Sequence, residues 1–205
     1  MELLTGAGLA TAAGLNAYIP LLLFGLGARF FDWVQLPPAW AWLSNEWVLV
    51  VIGVLLVLEI VADKIPAVDS VNDIVQTVVR PTAGGILFGA GTGSQPVAAP
   101  DPASFFPSTA WVPVALGVVP SLEVHVGKTM ARPAANAASF GLAAPVLSTV
   151  EDGVSLALAF FAIVVPILVI VGIIGVVIGG VALIRRSRRR KKLKADAPAV
   201  PTAPA

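Results

Sequence analysis

The chain alternates long apolar stretches with short interruptions by proline, glycine and dense charge. Residues 3–28 carry no charged side chain over 26 positions. As a helix rising about 1.5 Å per residue, such a stretch crosses a hydrocarbon core of ~30 Å with some tilt. Gly6, Ala10 and Gly14 recur every fourth residue along it and predict a smooth ridge for close helix contact. Asn16 and Pro20 interrupt its apolar face; Asn16 is expected to hydrogen-bond a neighbouring helix, with a place along a polar path as the sharper reading. A second span is expected over residues 48–62, with Glu59 in its last turns. Between them, Trp33, Trp40, Trp42 and Trp47 fit an aromatic belt at a membrane–water interface.

Pro66 predicts the end of the second span, since it lacks a backbone N–H and restricts Ile65 before it. Ser70 and Asp73 have capping-box spacing and predict the next helix start. Pro81 and Gly84-Gly85 predict that this helix is short or broken. Residues 89–110 read as a loop rich in Gly, Ser, Pro and Ala; their fragment GAGTGS lacks the GK[ST] of a phosphate loop. Residues 111–124 are apolar but interrupted by Pro113 and Pro120, and residues 134–150 are rich in small side chains. Residues 154–184 are the strongest span, ~46 Å long as a helix, so they must tilt, protrude or kink, with Pro166 the candidate kink. Gly175 and Gly179 offer a second close-packing notch, and a homo-oligomer through such small-residue faces is one expected assembly.

The expected fold is therefore an all-α, polytopic helical membrane protein. It has about four strong spans plus two short, broken or re-entrant segments, the last two being tolerated only where protein or a polar cavity surrounds them. Domain organisation is simple: a single membrane domain over residues 1–184, a basic juxtamembrane run over 185–194 and an Ala/Pro tail over 195–205.

Composition agrees with this class. Of 205 residues, 57% are hydrophobic and only 12% charged, about half the usual charged share of soluble domains, and the mean hydropathy is +0.90. The formal net charge of +1 hides an asymmetry. Eight of 13 basic residues, Arg185, Arg186, Arg188, Arg189, Arg190, Lys191, Lys192 and Lys194, form one run. Residues 1–184 hold five basic and eleven acidic groups, a net of −6 with His125 neutral. Beside an apolar helix the basic run reads as a cytoplasmic stop that meets anionic lipid headgroups, with no nucleic-acid partner. That orientation puts both chain ends in the cytoplasm. The uncharged span of residues 3–28 exceeds a signal-peptide core, so it is read as a retained helix. With no Cys, disulfide, thiolate–zinc and thiol chemistry are excluded.

Charge inside so apolar a chain is the main functional clue. Residues 58–81 hold Glu59, Asp63, Lys64, Asp69, Asp73 and Arg80; residues 122–133 hold Glu123, His125, Lys128 and Arg132. Both contain L-E-x4-K and T-x2-R-P, separated by twelve residues in the first and by none in the second, which raises an internal pseudo-repeat. Asp69, Asp73, Thr77 and Arg80 share one helical face, as do His125, Lys128 and Arg132. Asn136, Glu151 and Asp152 complete the polar-centre candidates; the last two are expected just before the final helix, at the opposite membrane face. A charge at a bilayer centre costs about 2.5–3.5 kcal/mol, so these groups must be paired, hydrated or interfacial.

The run ADKIPAVDSVNDIVQTVVRP, followed by H-x2-K-x3-R-x3-N and P-x2-S-x2-ED, resembles the domain of unknown function 4126 family over residues 1–184. The resemblance implies an integral membrane protein of bacteria, located in the cell membrane, and no particular activity. The matching positions are Glu59, Asp63, Lys64, Pro66, Asp69, Asp73, Arg80 and Pro81, then His125, Lys128, Arg132, Asn136, Pro145, Ser148, Glu151 and Asp152. Pro133 departs from that pattern and predicts a shortened helix.

Two functions fit the residues. One is a small transporter or channel-like protein for an ion, polar solute or lipid headgroup, with Glu59 and Asp63 facing Arg132 and Lys128, and His125 as a proton carrier. The other is a non-transporting membrane subunit or scaffold whose charges are structural salt bridges and whose basic tail binds lipid or a partner. An enzyme is not expected, since no nucleophile–base spacing or HExxH occurs, and neither a metal nor a cofactor is expected.

Overall fold

The computed structural model describes residues 2–93, 111–139 and 143–166, together with 168, 174, 175, 177–179, 181, 182, 185 and 186. Among these, every regular element is helical: α1 (Glu2–Leu15), α2 (Tyr18–Phe30), a 3-10 helix (Pro38–Ser44), α3 (Glu46–Ala62), α4 (Pro66–Gly91), α5 (Trp111–Ala138) and α6 (Ala143–Val164). α1 is central and packs against α4, α5 and α6, while α4 and α5 form the most extensive helix pair. α1 can occupy the centre because it is built from small residues; Gly6, Ala10 and Gly14 are all buried. Gly6 abuts Phe88 of α4 and Gly14 abuts Ser121 and Val124 of α5, so the expected ridge is used on two sides.

The first apolar stretch is not one span. Pro20 has no N–H and its ring clashes with the carbonyl four residues back, which is that of Asn16, so the helix parts there. Asn16 then restarts the chain: its Oδ1 accepts from Tyr18 N at 3.0 Å and Ile19 N at 3.1 Å, the contacts of an N-cap. Its Nδ2 donates to Asp152 Oδ1 at 2.9 Å, the interhelical bond expected of it. Ser155 of α6 closes the seam by donating to the carbonyls of Ala12 at 2.9 Å and Asn16 at 3.4 Å. Asn16→Ala should cost about 1–2 kcal/mol, read as a lowered melting temperature in detergent. An unchanged melting temperature would show that the cap contributes nothing.

Three expected boundaries move. Pro66 begins α4 rather than merely ending α3, since a first-turn proline gives up only an N–H that has no helical partner. α4 then runs through Pro81 for 26 residues, and α5 through Pro120 and Pro133 for 28. Neither is short or broken, because close packing between the two compensates what the prolines remove. α6 begins at Ala143, so Glu151-Asp152 lies inside it and not ahead of it. The expected break at Pro166 is present, α6 ending at Val164. Trp33, Trp42 and Trp47 are exposed, whereas Trp40 joins the core. A Cβ added at Gly175 or Gly179 would meet nothing within 4 Å among the described residues, so no close helix approach is made there.

Beside an apolar core that includes Leu9, Phe24, Leu43 and Leu87, the bundle buries charge and exposes large apolar side chains. Ile74, Val78 and Met130 are 72, 70 and 75% exposed, while Arg80 is fully buried. Among the described residues one helix, Ala144–Val164, is long and apolar enough to cross a membrane alone; the 3-10 helix and α3 pass together as a pair bent by 59°. α1 and α2, of 14 and 13 residues, are too short. α4 and α5 are long enough, ~39 and ~42 Å, but charge keeps them out of the apolar class.

A buried ion cluster as candidate functional site

The site forms where α1 stops. A helix C-terminus leaves its last carbonyls without helical partners and carries partial negative charge. Two cations take advantage of this: Arg80 Nη1 donates to Gly14 O and Lys128 Nζ to Leu15 O, both at 3.4 Å. Arg80 comes from the middle of α4, and Lys128 and Arg132 from successive turns of α5.

Three carboxylates answer them. Arg80 Nη2 lies 2.8 Å from Glu59 Oε1 and 3.8 Å from Asp63 Oδ2. Asp63 Oδ2 is also 3.3 Å from Lys128 Nζ and 3.3 Å from Arg132 Nη2. Glu151 of α6 pairs with Lys128 at 3.0 Å and with Arg132 through both carboxylate oxygens. Among the described residues, three cations thus meet three acids, and their formal charges balance. This balance permits the burial: an unpaired charge here would carry a desolvation penalty of several kcal/mol.

His125 completes the inner layer. Its Nδ1 faces Arg80 Nη1 at 3.4 Å and its Nε2 faces Thr77 Oγ1 at 3.1 Å. Arg80 can only donate, so Nδ1 accepts and Nε2 carries the proton. Thr77 in turn donates to Asp73 O at 2.8 Å. The imidazole is therefore held neutral, and a second proton on it would set donor against donor unless Arg80 moved.

Seven of the candidate residues come together: Glu59, Asp63, Arg80, His125, Lys128, Arg132 and Glu151. Asp152 sits at the rim on Asn16. Glu151 therefore does not lie at the opposite face; it is in the cluster, because α6 packs along α1, at whose end the cluster forms, with its acids inside the helix. Lys64 stays outside, half-buried, with Nζ donating to Ile60 O at 3.2 Å. Glu123 is exposed on α5. Asp73 is half-buried, and its Oδ1 has no hydrogen-bond partner among the described residues. The side chains of Asp69, Ser70 and Asn136 lie outside the described set. Of the basic run, Arg185 and Arg186 are exposed; Arg188, Arg189, Arg190, Lys191, Lys192 and Lys194 lie outside it.

Sequence reasoning missed Asn72, Gln76 and Ser121. Asn72 Nδ2 donates to Asp63 Oδ1 at 2.8 Å, and Ser121 Oγ donates to the Arg80 carbonyl at 2.7 Å. Asn72, Gln76 and Arg80 recur at helical spacing and continue into buried Ala83 and Leu87. The buried stripe of α4 is thus one step round from the Asp69–Asp73–Thr77 face. Stepping back from Arg80 by fours would have found it; nothing in the sequence marks Ser121.

Two surface clefts lie outside the cluster. One, of about 370 Å³, is lined by Tyr18, Trp42 and Trp47 among others; the second, of about 300 Å³, runs along α2 and α6 to Asp152. No group of three or more metal-binding side chains occurs among the described residues.

Among the described residues, fold and site define an all-helical bundle organised round a buried ion cluster. The chain belongs to the family described as Domain of unknown function (DUF4126), whose model matches residues 3–186. No curated protein and no solved structure matches it.

Proposed function

We propose that the chain is a multi-pass integral membrane protein whose ion cluster is the binding centre of a small transporter. The observation that carries this reading is charge buried beneath an apolar exterior: five charged side chains are buried, with Glu151 at their edge, inside a surface of exposed Val, Ile and Leu. Apolar surface on that scale is what a bilayer covers. Arg80 of α4 and Lys128 and Arg132 of α5 are turned inward, so both helices present apolar flanks to lipid, with Glu123 an exposed exception. The cluster also sits at the parting of α1 and α2, with helix-end carbonyls in its first layer, the arrangement in which discontinuous helices of transporters hold solutes and ions. The basic run after the last apolar stretch orients the C-terminus to the cytoplasm and meets anionic lipid.

The test is flux in proteoliposomes for small anionic, cationic and neutral solutes and for protons. Asp63→Asn, Arg80→Gln and Arg132→Gln should each lower flux by at least tenfold. Wild-type rates in all three would remove the reading.

One observation favours a scaffold instead: neither cleft is lined by any member of the cluster. On that reading the neutral double variant Glu59→Gln/Arg80→Met keeps full cellular function, whereas deletion of residues 185–205 removes it.

A further inference from the structure

Asp63 is placed unlike the other acids of the cluster. Every cation reaches the same oxygen of it, Lys128 and Arg132 at 3.3 Å and Arg80 at 3.8 Å, while its second oxygen accepts from Asn72. Glu59 serves Arg80 alone, and Glu151 serves Lys128 and Arg132. The cations therefore converge on one small two-oxygen group. That group is mounted on a connection: Asp63 is the residue that caps α3, three residues before Pro66 opens α4. Arg80, Lys128, Arg132 and Glu151 all project from helix interiors. Asp63 is the member that can withdraw without unwinding a helix.

The rest of the cluster is built to survive that withdrawal. Arg132 already holds both oxygens of Glu151. Arg80 Nε and Glu59 Oε2 are both buried with no partner among the described residues. They are a spare donor and a spare acceptor on one ion pair, so Glu59 can take Arg80 by two parallel bonds. Each arginine then keeps a carboxylate, and the withdrawal of Asp63 takes one negative charge from the site.

We propose that the Asp63 carboxylate is a tethered stand-in for the ligand, and that the cluster binds a small monocarboxylate in exchange for it. The charge left behind fits a monovalent anion. The contacts left behind, an amide N–H on one side and an ammonium with two guanidinium groups on the other, fit a planar group with two acceptor oxygens. This deepens the transport reading and rests on it for what the exchange accomplishes. Binding itself is measured separately.

The full chain is purified in detergent, and acetate, chloride and methylammonium are titrated at constant ionic strength by calorimetry and thermal shift. Acetate should bind and raise the melting temperature, with chloride and methylammonium without effect. Asp63→Asn keeps the acceptor for Asn72 but removes the competing charge, so acetate should bind it at least tenfold more tightly. Adding Lys128→Gln should abolish that gain. Acetate binding no tighter in Asp63→Asn than in wild type overturns the proposal, and so does equal binding of acetate and chloride. If Asp63→Asn does not fold, the wild-type titration decides alone: an acetate response no larger than that of chloride is negative. Acetate binding without flux of any solute supports the site and removes the transporter; flux of another solute without acetate binding does the reverse.

Discussion

Arg80→Met is expected to be the most damaging single substitution in the chain, lowering stability by about 3–5 kcal/mol and reducing the yield of folded protein. Arg80 is fully buried, and its guanidinium holds Glu59, Gly14 O and His125 Nδ1 together while approaching Asp63. Removing it strands Glu59, itself buried, with no cation in reach. The loss comes from the partner left behind more than from the bond removed, which makes a specific forecast possible. In Glu59→Gln/Arg80→Met the stranded charge is gone, so most of the lost stability should return, and a double-mutant cycle should give a coupling of about 1–3 kcal/mol. Arg80→Lys should fall between, since one ammonium cannot reach Glu59, the α1 carbonyl and the imidazole in one plane as a guanidinium does. The measurement is denaturant or thermal unfolding in detergent for the four members of the cycle. Equal stability of Arg80→Met and wild type would mean that Glu59 is not held as a charged partner.

The same energetics set what could be read from the amino-acid sequence. Isolated charge in an apolar chain is costly, so the residues between 58 and 81 and between 122 and 133 had to find one another, and Glu59, Asp63 and Arg80 do meet His125, Lys128 and Arg132. Which member of a motif points inward was not legible. Glu59 and Glu123 occupy the same L-E-x4-K pattern; the first is buried and the second exposed, whereas Lys64 is only half-buried and Lys128 is buried. In the first copy the helix ends between Glu and Lys, and in the second α5 continues through both, so the two copies present opposite members to the core. Glu151 was misplaced for a related reason: a helix starting at residue 154 puts it in a loop, whereas α6 starts eleven residues earlier and aims it at Arg132. Pro20 was visible as an interruption, but its consequence lies four residues back, at Asn16, where the helix parts and the cluster gains its carbonyls.

What brings α4 near enough to α5 for these contacts is the absence of side chains at Gly84 and Gly117, and the second large effect is expected there. A Cβ on Gly84 would run into Ser121, and one on Gly117 would run into the Gly84 carbonyl and Phe88. Much of what it meets is backbone, which cannot rotate away, so the helices themselves would have to separate. Gly117→Val should therefore cost about 3 kcal/mol or more, at or beyond the upper end of ordinary overpacking. Separation would also draw Ser121 off the Arg80 carbonyl, and Arg80 sits one helical turn from Gly84, so a change in packing becomes a change in the ion cluster. Gly127→Val is the matched control: it lies on the same helix with nothing within 4 Å, and should leave stability within about 0.5 kcal/mol. Melting temperatures of the two variants in detergent decide between a close crossing and a loose one. Equal effects at Gly117 and Gly127 would show that the crossing is not the source of the cost, since helix propensity favours Val over Gly at both. A large effect at Gly117 alone, with acetate binding lost in parallel, would tie the cluster's geometry to the approach of α4 and α5.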